Sequence, residues 1–116
     1  KLATYGCLNA TVTGTGVINI PIDVPSVLNG ISKKVFAAKI IYSVSPGSQI
    51  NSIKLLQSTE SGMSTIVTDP TTLNSISFVP YQLDPFTPVT ISGHLELQIQ
   101  FSNYLDLKNV FIGIHD

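Results

Sequence analysis

Apolar and polar residues alternate without a break from Val89 to Phe101. The odd positions are Val89, Ile91, Gly93, Leu95, Leu97, Ile99 and Phe101; the even ones are Thr90, Ser92, His94, Glu96, Gln98 and Gln100. Successive side chains of a strand point to opposite faces, so this period of two predicts one β-strand over 89–102 with a buried odd face. The even face is left to solvent, to a ligand or to a neighbouring subunit.

The same reading places strands elsewhere. Residues 10–13 and 17–23 flank the glycine pair of TGTG, a turn or bulge signal. VPSVLNG (24–30) reads as a connection with room for one helical turn between Pro25 and Gly30. KKVFAAKIIYSVS follows, with Phe36, Ala38, Ile40, Tyr42 and Val44 on one face and Val35, Ala37 and Ile41 beside Lys39 and Ser43 on the other. Turns at 46–48 and 58–62 bound strands at 50–57 and 63–68, and 69–74 is a loop. SISFVPY (75–81) is a strand that Pro80 confines to an edge or brings to an end, since proline has no N–H for the ladder. QLDPFTP (82–88) is irregular and NYLDLKN (103–109) is a connection. The last strand, VFIGIHD, turns Val110, Ile112 and Ile114 inward.

About eight short strands with turns every 8–15 residues predict an all-β antiparallel sandwich, jelly-roll-like first and immunoglobulin-like second. One domain over residues 1–116 is expected at this length. Its expected core contains Leu95, Leu97, Ile99, Phe101, Ile112, Ile114, Phe36, Ile40 and Tyr42.

Composition sharpens this picture. Ile and Val supply 24 residues and Ala four, which favours pleated sheet over helix. Ser, Thr, Asn and Gln total 36 against 13 charged residues, and arginine is absent. Little charge repulsion keeps copies apart, and self-association is expected. Without a clustered basic footprint, nucleic-acid binding is not expected. No apolar run reaches the length of a membrane-spanning helix, so no membrane insertion is expected. Cys7 is the only cysteine and can form no intrachain disulfide. Asn9-Ala10-Thr11 matches the N-glycosylation pattern, and a start at Lys1 reads as a processed protein or an excised domain.

Candidate chemistry is sparse. His94 and Glu96 are neighbours on the even face, where an imidazole and a carboxylate can share a metal or a proton, but no HxH pair accompanies them. No GxSxG elbow and no phosphate-binding glycine loop occurs. The expectation is therefore no catalytic, metal or cofactor residues. A sugar ligand has two candidate loops: Tyr81, Gln82, Asp84 and Phe86 in one, and Asn103, Tyr104 and Asp106 in the other. They combine aromatic faces with amide and carboxylate groups. Val35, Ala37 and Ile41 are expected to need a further cover, because a two-layer sandwich covers only one face of each strand; a subunit interface is expected there, with the same-chain stretch holding Val27, Leu28 and Ile31 as the alternative cover.

In composition and strand rhythm the whole chain resembles the small jelly-roll and sandwich domains of virion proteins: capsid, decoration, spike and tail-fibre modules. That resemblance implies a non-enzymatic structural or attachment component in a virion or outside the cell, self-associating as a homo-oligomer, with a trimer preferred. The alternative is a carbohydrate-binding or adhesin domain directed at cell-surface glycan, and a small β-fold enzyme comes third.

Overall fold

The β-branched stretches fold as strands and no helix forms among the described residues. The structure, a computed structural model, describes the backbone of residues 3–5, 10–22, 27–28 and 30–115 and the side chains of 10–22 and 30–115. Cys7 and Asn9 lie outside the described residues. The elements are β1 (Ala3–Tyr5), β2 (Ala10–Thr13), β3 (Gly16–Ile22), β4 (Val27–Leu28), β5 (Ile31–Ser32), β6 (Lys34–Ser43), β7 (Gln49–Thr59), β8 (Gly62–Asp69), β9 (Val79–Leu83), β10 (Val89–Thr90), β11 (His94–Ser102) and β12 (Tyr104–His115).

Two antiparallel sheets pack into a sandwich. One is ordered β1-β12-β6-β10, with β2 also on β12 and β9 also on β6; the other is β3-β11-β7-β8. The pairings are nested. β7 pairs with β8, β6 with β9 and β10, β3 with β11, and β1 and β2 with β12. This is the order of one long hairpin with its tip between β7 and β8. The remaining pairings, β6 with β12 and β7 with β11, zip the rolled hairpin shut. The result is a jelly roll, in which β1 and β2 share one strand position and β9 and β10 another.

Between the sheets lie Ile40, Tyr42, Ile53, Leu55, Leu95, Leu97, Ile99, Phe101, Leu105, Ile112 and Ile114, all buried in one cluster. Eight of the nine expected core residues are there. Phe36 is not.

The exception has a local cause. Ala37 pairs with Gly113 and Val35 with Ile114, so Phe36 is an extra residue in β6, a β-bulge. Across a bulge the inside–outside alternation changes phase. Val35, expected outside, is fully buried in the core, and Phe36, expected in the core, is half-buried on the outer face of the sheet. A second bulge at Lys108, where Leu107 pairs with Tyr42 and Asn109 with Ile41, resets the phase of β12 between Leu107 and Val110. That bulge made 103–109 read as a connection. In fact β12 runs unbroken through it, and only Asn103 turns the chain, with a left-handed φ of 70°.

The long alternating stretch is two strands in different sheets. Val89 and Thr90 pair with β6, residues 91–93 cross the sandwich, and β11 begins at His94. Alternation survives the crossing because Val89 in one sheet, Ile91 in the crossing and Leu95 in the other sheet all face the common core. The crossing is held from inside. The buried Gln57 accepts the N–H of Ser92 at Oε1 (2.9 Å), and Ile91 N–H donates to the Lys33 carbonyl (2.9 Å). Gly93 is required at the end of the crossing, because a Cβ there would run into the carbonyl of Ser58.

Two further expectations shift. β9 covers Val79–Leu83 rather than 75–81; Pro80 lies within it, on an edge strand as its missing N–H demands. Within the expected connection 24–30, Val27 and Leu28 instead pair with Ser32 and Ile31 in a small ribbon.

Candidate functional site

The outer face of the β12-β6-β9 sheet carries a hollow. One row across it reads Phe111, Lys39, Gln82, and the next reads Gly113, Ala37. Phe36, turned outward by its bulge, closes the end of these rows. Its ring centroid is 5.3 Å from that of His115, and a Cβ on Gly113 would lie 2.7 Å from Phe36 Cζ. Glycine is therefore what lets the ring lie against the sheet. These six residues line a hollow of about 340 Å³ with a floor of small residues, two aromatic walls and a polar rim. The Lys39 ammonium lies over the Phe111 ring, 5.9 Å from its centroid, a cation–π contact. Among the described residues it has no carboxylate partner. Ile41, half-buried, continues the face beside Asn109 and Pro80.

Of the expected interface residues, Ala37 and Ile41 lie on this face, whereas Val35 is in the core. The pattern of alternation assigned Phe36 to the core and did not single out Phe111 or Gly113. The available signal was Phe111 itself, an aromatic in the row of β12 where alternation calls for a polar residue.

The two expected sugar-binding loops do not meet. Leu83 is level with Ala38 and through it with Ile112, whereas Tyr104 starts β12 eight residues away, roughly 27 Å along the strand at ~3.4 Å per residue. In the first group, Tyr81 donates to Asp69 Oδ2, and Gln82 Nε2 donates to Asp84 Oδ1 (2.9 Å). Phe86 is fully exposed, at 104%. In the second group the side chains bind their own fold. Asn103 donates through Nδ2 to the Gly47 carbonyl (3.3 Å), and its own carbonyl accepts Gly14 N–H (2.7 Å), tying three loops together. Asp106 accepts the Thr11 hydroxyl (3.2 Å) across the sheet. Tyr104 is half-buried opposite Thr13.

On the other sheet, His94 is exposed opposite Ser58, and Glu96 lies between Pro21 and Leu56. Gln98 donates to Asn19 Oδ1 (3.1 Å) and Gln100 accepts from Ser52 Oγ (3.3 Å). Among the described residues no three His, Cys, Asp or Glu side chains come together in a metal-binding group.

What these features define is a jelly-roll sandwich with an apolar hollow on one outer face. No protein-family model matches the chain, and no curated protein sequence does. Solved structures match its fold. The structure of infectious bursal disease virus Gt strain aligns over 98% of this chain and 32% of its own, with TM-score 0.63 and 12% identity. The T13 viral particle of the same virus gives TM-score 0.64 at 11% identity, over 98% of this chain and 30% of that one. The VP2 subviral particle gives 0.60 at 11% identity, over 98% and 32%. The chain thus spans about a third of the length of these structures, and at such identity what they share is the fold.

Proposed function

We propose that the chain is a non-enzymatic structural or attachment module of a virion, such as a capsid, decoration, spike or tail-fibre domain, and that it self-associates. The observation that carries this reading is the jelly roll itself, matched over nearly the whole chain by regions of virus-particle structures. The outer face of the β12-β6-β9 sheet supports it: Ala37, Ile41, Phe36 and Phe111 form an apolar surface that a neighbouring copy would cover. A closed cyclic assembly, a trimer by preference, is the expected form. Sedimentation velocity at tens of micromolar tests it, with a defined oligomer expected and a monomer counting against it.

A second reading, a carbohydrate-binding or adhesin domain, is favoured by one observation. Phe86 offers a fully exposed ring beside the Gln82–Asp84 hydrogen bond, the pairing of stacking face and polar groups that a sugar requires. A glycan array separates the two: hits lost on Phe86→Ala would favour this reading over the structural one.

A further inference from the structure

The hollow and the loop beside it carry the two halves of one contact. On the loop, Leu83 and Pro85 are buried, while Phe86 between Pro85 and Pro88 projects its whole ring into solvent. Two prolines with fixed φ and two buried anchors hold that projection in place, so little conformational entropy is lost when the ring is captured. On the sheet, the hollow between Phe36 and Phe111 has a floor of Ala37 and Gly113 and is open on the side that faces solvent. An aromatic ring slotted between two others gains apolar burial and favourable ring–ring geometry.

The charges match as well. Asp84 stands two residues before Phe86, and the only hydrogen bond to its carboxylate among the described residues is from Gln82, which leaves acceptor positions open. Lys39 at the rim of the hollow is a cation that forms no ion pair with a carboxylate among the described residues. Acid therefore accompanies the knob and base accompanies the hole.

We infer that copies of this chain join head to tail, with Phe86 of one copy seated in the Phe36–Phe111 hollow of the next and Asp84 of the same loop paired with its Lys39. The inference rests on the self-association proposed above and names its contact. Made once per pair of copies, the contact is heterologous, and a chain of such contacts closes into a ring or continues as a filament according to the rotation per copy. Phe86 is then the buried aromatic anchor that dominates the contact energy.

The test uses two variants whose changes lie at the surface, Phe86→Ser without the knob and Lys39→Glu with a repelling rim. Circular dichroism first establishes that each keeps the wild-type β spectrum. Sedimentation velocity then measures association of each variant, of their 1:1 mixture, and of the charge-swapped Lys39→Glu/Asp84→Lys double variant. Each single variant is expected to weaken association about 30-fold or more, the threshold of a hot-spot residue. The mixture is expected to form a one-to-one pair and nothing larger, since only one intact knob and one intact hole remain. The charge swap is expected to restore assembly. A wild type that is monomeric would remove self-association and this contact together. An oligomeric wild type whose mass survives both single variants, or a mixture that stays monomeric, would overturn the knob-and-hole contact alone.

Discussion

Tyr81 and Asp69 fasten the two sheets together along one open side of the sandwich. Tyr81 belongs to β9, an edge of one sheet, and Asp69 to β8, an edge of the other; the phenol donates to Oδ2 while Thr71 N–H donates to Oδ1 (3.0 Å). Burial by itself would raise the Asp69 pKa, but the hydrogen bonds from Tyr81 and Thr71 outweigh it and hold the carboxyl below its ordinary value of 3.8. The same bond to Asp69 is the main reason the Tyr81 phenol titrates above its ordinary 10.0.

These opposite shifts give the clasp a pH window. A lowered carboxyl stabilises above its ordinary value and loses that contribution as pH falls through the folded-state value. A raised phenol stabilises below its ordinary value and loses the contribution as pH rises through the folded-state value. The clasp is complete between about 3.8 and 10.0. Tyr81→Phe is expected to cost about 1 kcal/mol across that range. In urea titrations at several pH values, the gap between wild type and variant should be constant on the plateau and shrink on both sides of it.

The inner and outer rows of β11 should respond differently. Leu97→Ala is expected to cost roughly 2–5 kcal/mol through lost transfer energy and a cavity, since Leu97 is fully buried. Gln98→Ala removes only an exposed amide bond to Asn19 and should change stability by about 0.5 kcal/mol or less. Equal losses in denaturant melts would mean that the outer row is covered as well.

Three glycines make a graded series. Gly93→Ala drives a methyl group into the backbone carbonyl of Ser58, which has no room to yield, and should cost about 3 kcal/mol or more. Gly113→Ala meets the Phe36 ring, which is half-buried and can move outward, so about 1 kcal/mol is expected. Gly16→Ala meets nothing within 4 Å and should be near neutral. Thermal melts of the three variants check the order.

Ile41→Lys places a charge on the outer face beside the hollow without touching the core. It should shift the sedimenting mass toward monomer while leaving the β spectrum intact. Unchanged assembly would move the interface to another surface.

Period-two alternation was enough to read the class of fold and most of the core, because alternation records which side chains face inward whatever sheet they belong to. The same indifference hid the crossing at 91–93: Val89 and Leu95 face one core from opposite sheets, and nothing in their order says so. Bulges were illegible for a related reason. One inserted residue at Phe36 or at Lys108 exchanges inside for outside, and it is the partner strand, not the local sequence, that assigns the extra residue. The outer hollow was missed with them, since it depends on Phe36 and Gly113 coming together from β6 and β12. The sugar-loop candidates combined residues that only sequence chemistry linked, and the backbone register separates them.

The nested pairing also sets a clock for folding. At the hairpin tip, Thr59 and Gly62 pair three residues apart, whereas Phe101 meets Gly16 and Ile114 meets Ala3 only after most of the chain has been gathered in. Closing ever larger loops before their contacts form is slow, and β-sandwiches of such non-local topology fold on the order of milliseconds to seconds. The β7–β8 pairing closes the smallest loop and is expected to form first, and the pairings of the outermost strands last. Until they do, the edge of β12 that β1 and β2 will cover stands open to the same strands of another chain. Wherever several such chains fold close together, the interval before that edge is closed is when strand exchange between molecules competes with correct closure.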